Sequence, residues 1–277
     1  MKLFLSCANL GKYFIMKKIY TIRNLGAQQI HMWDDSSVEE EVKTCPARNI
    51  YDYFIEHLPK NDSILEAGCG LGAWVVFLQK KGFNIEGIDH DNKVIERIKK
   101  FDSNLNVKQG DICNIDSPDN HLGAYISLGV VEHFEEGPEK ALAEAWRALK
   151  PGGVVILTVP FNNIFRKMIA NQLRFIYMLI QRFKGNKTYF AEYRFSEAEV
   201  CNMLTKAGFK ILKTDVDDFK EKNRSLGIWS EFPFLQSKKE LYALNSVGKI
   251  FAGFMNSISR KTIASGILAV AIKPLSD

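Results

Sequence analysis

Three glycines in five residues, Gly68-Cys69-Gly70-Leu71-Gly72, follow directly on the apolar run 63–67 and open onto a helical pattern at Ala73. At such a junction the chain must turn sharply and present backbone N–H groups at a helix N-terminus, and glycine permits both the turn and the close approach of a ligand. Taken as Gly68, Gly70 and Ala73, the loop satisfies the G-x-G-x-x-G/A dinucleotide fingerprint, and Asp89 closes the next apolar run as a candidate acceptor for ribose hydroxyls. A turn that binds nothing is the plainer alternative. Glu66 bears on the choice, because a carboxylate two residues before the first glycine would repel a pyrophosphate yet attract a ligand carrying an ammonium and a sulfonium. S-adenosylmethionine is such a ligand.

The stretch Leu65 to Gly72 resembles the first motif, E-x-G-x-G-x-G, of the class I S-adenosylmethionine-dependent methyltransferase family. Gly110-Asp111-Ile112 resembles the motif in which an acid reaches the adenine amino group and the next apolar side chain packs on the ring. Tyr125 to Phe134 resembles the fourth motif of the small-molecule branch, and Pro151 to Pro160 the turn and strand that follow it. Many members carry an Asp two residues before Tyr125, where this chain has Gly123. The resemblance is close over 47–160 and looser over 192–217 and 266–274. It implies S-adenosylmethionine as cofactor, held by Glu66, Gly68, Cys69, Gly70, Gly72, Asp89, His90, Asp111, Ile112, Leu128 and Gly129. It also implies an α/β fold, a doubly wound, seven-stranded, mostly parallel sheet in the order three-two-one-four-five-seven-six, the seventh strand antiparallel.

A sulfonium-bound methyl group is already activated, so such a protein chiefly aligns the acceptor and excludes water. A base is needed only for a hydroxyl or protonated amine. His133, just past the fourth strand, is the candidate catalytic base, with a structural bond to its loop as the alternative; Glu132 carries the same two readings. The five histidines show no ligand spacing with one another or with cysteine, so no metal is expected. The expected acceptor is a small-molecule or lipid-linked substrate. A NAD-dependent oxidoreductase using the same loop and a non-enzymatic S-adenosylmethionine-binding protein are the alternatives.

The elements that must position these residues alternate. Apolar runs at 63–67, 84–88, 106–108, 124–129, 154–159, 209–216 and 267–272 predict seven strands, and helical spacing predicts helices at 48–58, 73–81, 93–100, 138–148 and 196–207. Lys150-Pro151-Gly152-Gly153 reads as a helix-ending turn, and Asp91 as a helix cap rather than a ligand contact. The sequence divides into an extension or flap over 1–46, with Tyr13, Tyr20 and Trp33 as flap residues, and a methyltransferase-like domain over 47–277. That domain carries a basic helical insertion at 161–191 and a lid-like segment at 218–265. Met16 reads as an alternative start that would leave the first fifteen residues an unstructured extension.

A composition of 46% hydrophobic and 25% charged residues is that of a globular chain and excludes a disordered or collagenous one. No uninterrupted apolar run is long enough to span a bilayer. Five cysteines, odd in number and never in a CxxC pair, argue against a disulfide framework and suit a cytoplasmic protein. The net charge of +5 is local: residues 161–191 hold Arg166, Lys167, Arg174, Arg182, Lys184 and Lys187 with no Asp or Glu, and no nucleic-acid partner is expected. In that segment Ile164, Met168, Leu173, Ile176, Leu179 and Phe183 predict an amphipathic helix, ordinarily buried on its apolar face. A lid, a binder of acidic substrate and a peripheral membrane contact are its special readings. Ile250, Phe251, Phe254, Met255 and Ile258, with Trp229, Phe232 and Phe234, read as core or as the lining of an apolar acceptor pocket.

Overall fold

Each predicted apolar run becomes a strand, the central ones because parallel strands buried on both faces require such runs. The computed structural model describes residues 16–22, 36–221 and 223–275. The elements in order are β1 (Lys17–Thr21), α1 (Val38–Thr44), α2 (Ile50–His57), β2 (Ile64–Ala67), α3 (Ala73–Lys80), β3 (Ile85–Asp89), α4 (Asn92–Phe101), β4 (Val107–Gln109), β5 (Leu122–Leu128), α5 (Glu139–Ala148), β6 (Leu149–Pro160), α6 (Asn171–Phe183), β7 (Tyr189–Arg194), α7 (Glu197–Lys206), β8 (Lys210–Asp217), α8 (Leu226–Glu231), α9 (Ser246–Ile258) and β9 (Gly266–Ile272).

The main sheet runs β4-β3-β2-β5-β6-β9-β8. β9 is antiparallel to both its neighbours and the other adjacent pairs are parallel, which is the order that the family resemblance implies. Side chains alternate between two cores. Ile64, Ala124, Ile126 and Ile156 face α1, α3 and α4, while Leu65, Ala67, Tyr125 and Leu157 face α5 and α7. Winding proceeds outward from β2 in both directions, so the carboxyl ends of β2 and β5 diverge and leave a crevice between them.

Asp91 caps α4, its Oδ1 accepting from the Lys93 N–H. The predicted turn at Lys150 to Gly153 is instead a bulge inside β6: α5 ends at Ala148, and pairing jumps from Leu122–Leu149 to Ala124–Val154. A methylene on Gly123 would stand 2.6 Å from Asp62 Cβ, and this position is at the amino end of β5. The acid other members carry there would be a strand's length from the glycine loop.

Ahead of residue 47, α1 starts with a capping box between Ser37 and Glu40 and packs Val38 into the same core as α3. β1 pairs antiparallel with β7 in a second, two-stranded sheet, where Tyr20 meets Phe190 edge-on. Tyr13, Trp33 and the fifteen residues before Met16 lie outside the described residues. The basic insertion forms a π-turn, Arg166–Ala170, followed by α6. Burial of its apolar face is overturned: Ile164, Met168, Leu173, Ile176, Leu179 and Phe183 are all exposed, while Asn171 and Met178 pack inward. Segment 218–265 builds a small cluster of its own, Ile228, Leu235, Leu244, Ala252 and Ile263, with Phe165, Phe232, Phe251 and Met255 against it.

Buried Asn49 ties this frame together. Its amide NH₂ donates to the Val216 carbonyl and its Oδ1 accepts from the Asp218 N–H at 3.1 Å, locking the start of α2 to the end of β8. Asn49→Ala strands a buried carbonyl and a buried N–H, and is expected to cost about 2 kcal/mol, a Tm roughly 4–8 °C lower in thermal unfolding.

Candidate cofactor and acceptor site

The glycine loop is strapped to β3. The Ile88 carbonyl accepts from the N–H groups of both Gly68 and Cys69, at 2.8 and 2.9 Å, and Asp89 Oδ2 accepts from the Gly70 N–H at 2.9 Å. Gly68, Gly70 and Gly72 have φ of +78°, +50° and +67°, the left-handed region that other residues rarely adopt. A methylene on Gly68 would also sit 2.5 Å from Val130 Cγ2. Burial pushes the Asp89 carboxyl up, but hydrogen bonds from His90 and from the Asp91 and Gly70 amides outweigh it and hold the group below its ordinary value. Asp89 is therefore ionised, and each of its oxygens keeps lone-pair capacity for a further donor. His90, with Nδ1 3.3 Å from Asp89 Oδ1, has its own pKa raised by that contact.

Between the diverging strand ends lies a cavity of about 340 Å³. Glu66, Gly68, Cys69, Gly70, Leu128, Gly129 and His133 all line it, so seven of the expected residues share one space. Gly72 caps α3, Asp89 holds the loop through Gly70, and exposed His90 meets Asp89; neither Asp89 nor His90 lines the cavity. Asp111 lies next door but outside: it is exposed, accepts from the Cys113 N–H at 2.8 Å and borders a separate groove with Ile88 and Lys108. Ile112 points into the core beneath.

Two carboxyl groups in this cavity each leave one buried oxygen without a partner. Glu66 and Glu132 are buried, each with an Oε2 that has no hydrogen-bond partner. Burial pushes Glu66 up to about 8, the Val75 amide offsetting part of the effect and the Asp89 charge adding to it. Burial also drives Glu132 well above the ordinary range. A buried acid without a partner is costly, and a cation placed beside it removes the cost.

Other walls come from residues that the motifs did not indicate. Arg48 donates through Nη2 to both Asp217 oxygens, at 2.8 and 2.7 Å, and the Tyr242 hydroxyl donates to Glu41 at 2.8 Å; all four line the cavity. Their only sequence signal is the Ser37-x-x-Glu40 box that announces α1.

His133 accepts no proton at Nδ1: that nitrogen is 2.8 Å from the Ala191 carbonyl oxygen, which can only accept, so Nδ1 carries the hydrogen and the neutral ring keeps its lone pair on Nε2. For this residue the structural reading is met in part, by a bond to β7 and not to its own loop. Beyond it a second chamber of about 450 Å³ shares Pro160, Glu192 and Ser265 with the first. Arg194 there donates to Glu192 at 3.0 Å, and both Arg194 and Arg166 hold Glu231. Burial pushes Glu192 up, but the charges of Arg194 and Arg166 prevail and keep it low, hence ionised.

The sequence profile of the methyltransferase domain matches residues 39–214. The chain belongs to the class I S-adenosylmethionine-dependent methyltransferase family. It is 23% identical over 111 residues to a probable S-adenosylmethionine-dependent methyltransferase of Mycolicibacterium smegmatis, covering 40% of this chain and 43% of that one. It is 33% identical over 106 residues to an S-adenosyl-L-methionine-dependent Diels-Alderase of Talaromyces variabilis, covering 35% of each. The chain thus spans well under half the length of these two curated relatives. An S-adenosylmethionine-dependent methyltransferase structure from Methanosarcina mazei has the same fold, with a TM-score of 0.56 at 19% identity over 82% of this chain and 99% of that one.

The residues of this methyltransferase-family site fit the cofactor. The buried carboxyl oxygens of Glu66 and Glu132 without partners would suit its positive groups, the ionised Asp89 keeps acceptor capacity beside the loop, and a Cβ on Gly68 would meet Val130. Glu66 keeps its proton in the folded chain up to about pH 8 but loses it near 4.5 when unfolded, so between those values stability falls as pH rises. Glu66→Gln removes that loss. The variant is expected to melt with the native chain near pH 4.5 and roughly 10 °C above it at pH 8 in thermal scans.

Proposed function

We propose that this protein transfers the methyl group of S-adenosylmethionine to a small-molecule or lipid-linked acceptor, with Glu66, Gly68, Gly70 and Asp89 as the core of the cofactor site. The observation that carries the reading is the pair of buried carboxyl groups, Glu66 and Glu132, each with one oxygen lacking a partner, that line the cavity beside a glycine loop. Bound there, the cofactor would supply an already activated methyl group and a leaving group that needs no proton.

The chain's own residues then have three tasks. The walls exclude water and align the acceptor with the methyl group, an arrangement that can supply roughly 7–11 kcal/mol of a barrier. His133 Nε2 takes the acceptor's proton where the acceptor is a hydroxyl or protonated amine. Ionised Glu192 lies in the adjoining wall. The dinucleotide reading fits less well, since a buried carboxylate at Glu66 opposes a pyrophosphate.

Calorimetric titration with S-adenosylhomocysteine, and NAD in parallel, tests the cofactor. S-adenosylhomocysteine is expected to bind, and Glu66→Gln to weaken it about tenfold. Because a cation beside Glu66 makes it ionise, binding near pH 7 is expected to release a proton, read from the heat in buffers of different ionisation enthalpy. Binding of NAD alone would overturn the reading.

With an acceptor found by screening, His133→Asn is expected to lower kcat by about 10²-fold or more while leaving S-adenosylhomocysteine affinity unchanged. Cofactor binding without methyl transfer across the screen would favour a non-transferring chemistry, as in the Diels-Alderase relative.

A further inference from the structure

Two helices turn apolar faces to solvent. On α6, Ile169, Leu173, Ile176, Ile180 and Phe183 recur at alternating steps of four and three, one continuous stripe, with Phe183 90% exposed. On α9, Val247, Ile250, Phe254 and Ile258 form a second stripe, with Ile250 75% exposed. The two are joined: Phe165, just ahead of the α6 turn, packs edge-on against Phe251 of α9 at 5.7 Å and against Phe232 at 5.5 Å.

Charge decides what covers this face. Residues 161–191 and 241–265 contain no Asp or Glu, and of their nine Lys and Arg residues only Arg166, buried on Glu231, and Lys261, on Glu197, form salt bridges among the described residues. Among the described residues, none of Lys167, Lys184 and Lys187 has a salt bridge. Packing the face against a second copy would set cations beside cations with no carboxylate to receive them. Anionic lipid headgroups supply the missing charge, and the acyl boundary takes the aliphatic and aromatic tips. We propose that the α6–α9 face docks on an anionic lipid bilayer.

The thirteen residues of α6 give roughly 20 Å of helix, enough to lie in the interface plane, and among the described residues no helix is long and apolar enough to cross a membrane. A groove of about 410 Å³ between β1 and α6, lined by Phe175, Met178, Leu179 and Arg182, shares Ile19 and Arg174 with the chamber beyond His133. An amphiphile leaving the bilayer along α6 would meet a lined route to the cofactor cavity. Only this last step rests on the methyltransferase reading.

Co-sedimentation with phosphatidylcholine vesicles, alone and with about a third phosphatidylglycerol, tests the docking. The native chain is expected to pellet with the anionic vesicles only. The double variant Ile176→Glu/Phe254→Glu is expected to lose at least about tenfold in bound fraction, and the triple variant Lys167→Gln/Lys184→Gln/Lys187→Gln to lose its preference for anionic lipid. All substituted positions are exposed, and unchanged S-adenosylhomocysteine binding by each variant reports an intact fold; failure of the native chain to bind S-adenosylhomocysteine would count against the cofactor reading alone. A native chain that stays in the supernatant with anionic vesicles overturns the proposal. So does one that elutes as a dimer which Ile176→Glu renders monomeric, or a charge-neutral variant that pellets unchanged.

Discussion

The reversal of winding between β2 and β5 is the constraint from which the site follows. A parallel sheet extended from β2 in both directions cannot cover the gap where its connections part, because each crossover must leave to its own side with the same hand. That gap falls between Ala67 and Leu128, and the chain turns there without side chains in the way only because Gly68, Gly70 and Gly129 all adopt positive φ. The strap from Asp89 then fixes the loop to β3, so that a strand-end carboxylate both shapes the turn and remains available to a ligand.

The same gap makes room for groups that a closed core would reject. Glu66 shares its strand face with Ile64, and its burial is tolerable as a neutral acid; its ionised form needs a cation that the surrounding side chains do not provide. In the adjoining chamber the solution is the opposite one. Glu192 is held ionised beside Arg194 and Arg166, which also pair with Glu231, a compensated network whose members depend on one another. One wall therefore lacks a charge and the other is neutralised internally, which gives the two chambers different chemical characters across the shared residue Glu192.

Legibility in the sequence followed the range of the interaction involved. The glycine loop, Glu66 and the seven strands are local patterns, and the helix cap at Asp91 is a two-residue event, so each could be read directly. Arg48 and Asp217 lie 169 residues apart and Glu41 and Tyr242 lie 201 apart, and only the folded sheet brings either pair together. The two-stranded sheet of β1 and β7 escaped for the same reason, since neither strand alternates strongly enough to stand out. The apolar spacing of α6 was visible, but periodicity reports that a face exists and not which side packs inward; Met178 and Asn171 hold the inward side.

β9 enters the sheet between β6 and β8, and the whole of α8 and α9 separates it in sequence from β8. Until that late strand is made, β6 and β8 each present an open row of backbone donors and acceptors, and Gly266 and Ser265 are missing from the cavity wall. The half of the sheet built around β2 and β3 can form from contacts close in sequence, whereas the other half waits on β9, whose partner strand β6 lies far back in the chain. A chain that ends before β9 would hold a formed glycine loop beside two unprotected sheet edges, the rows most open to pairing with another chain.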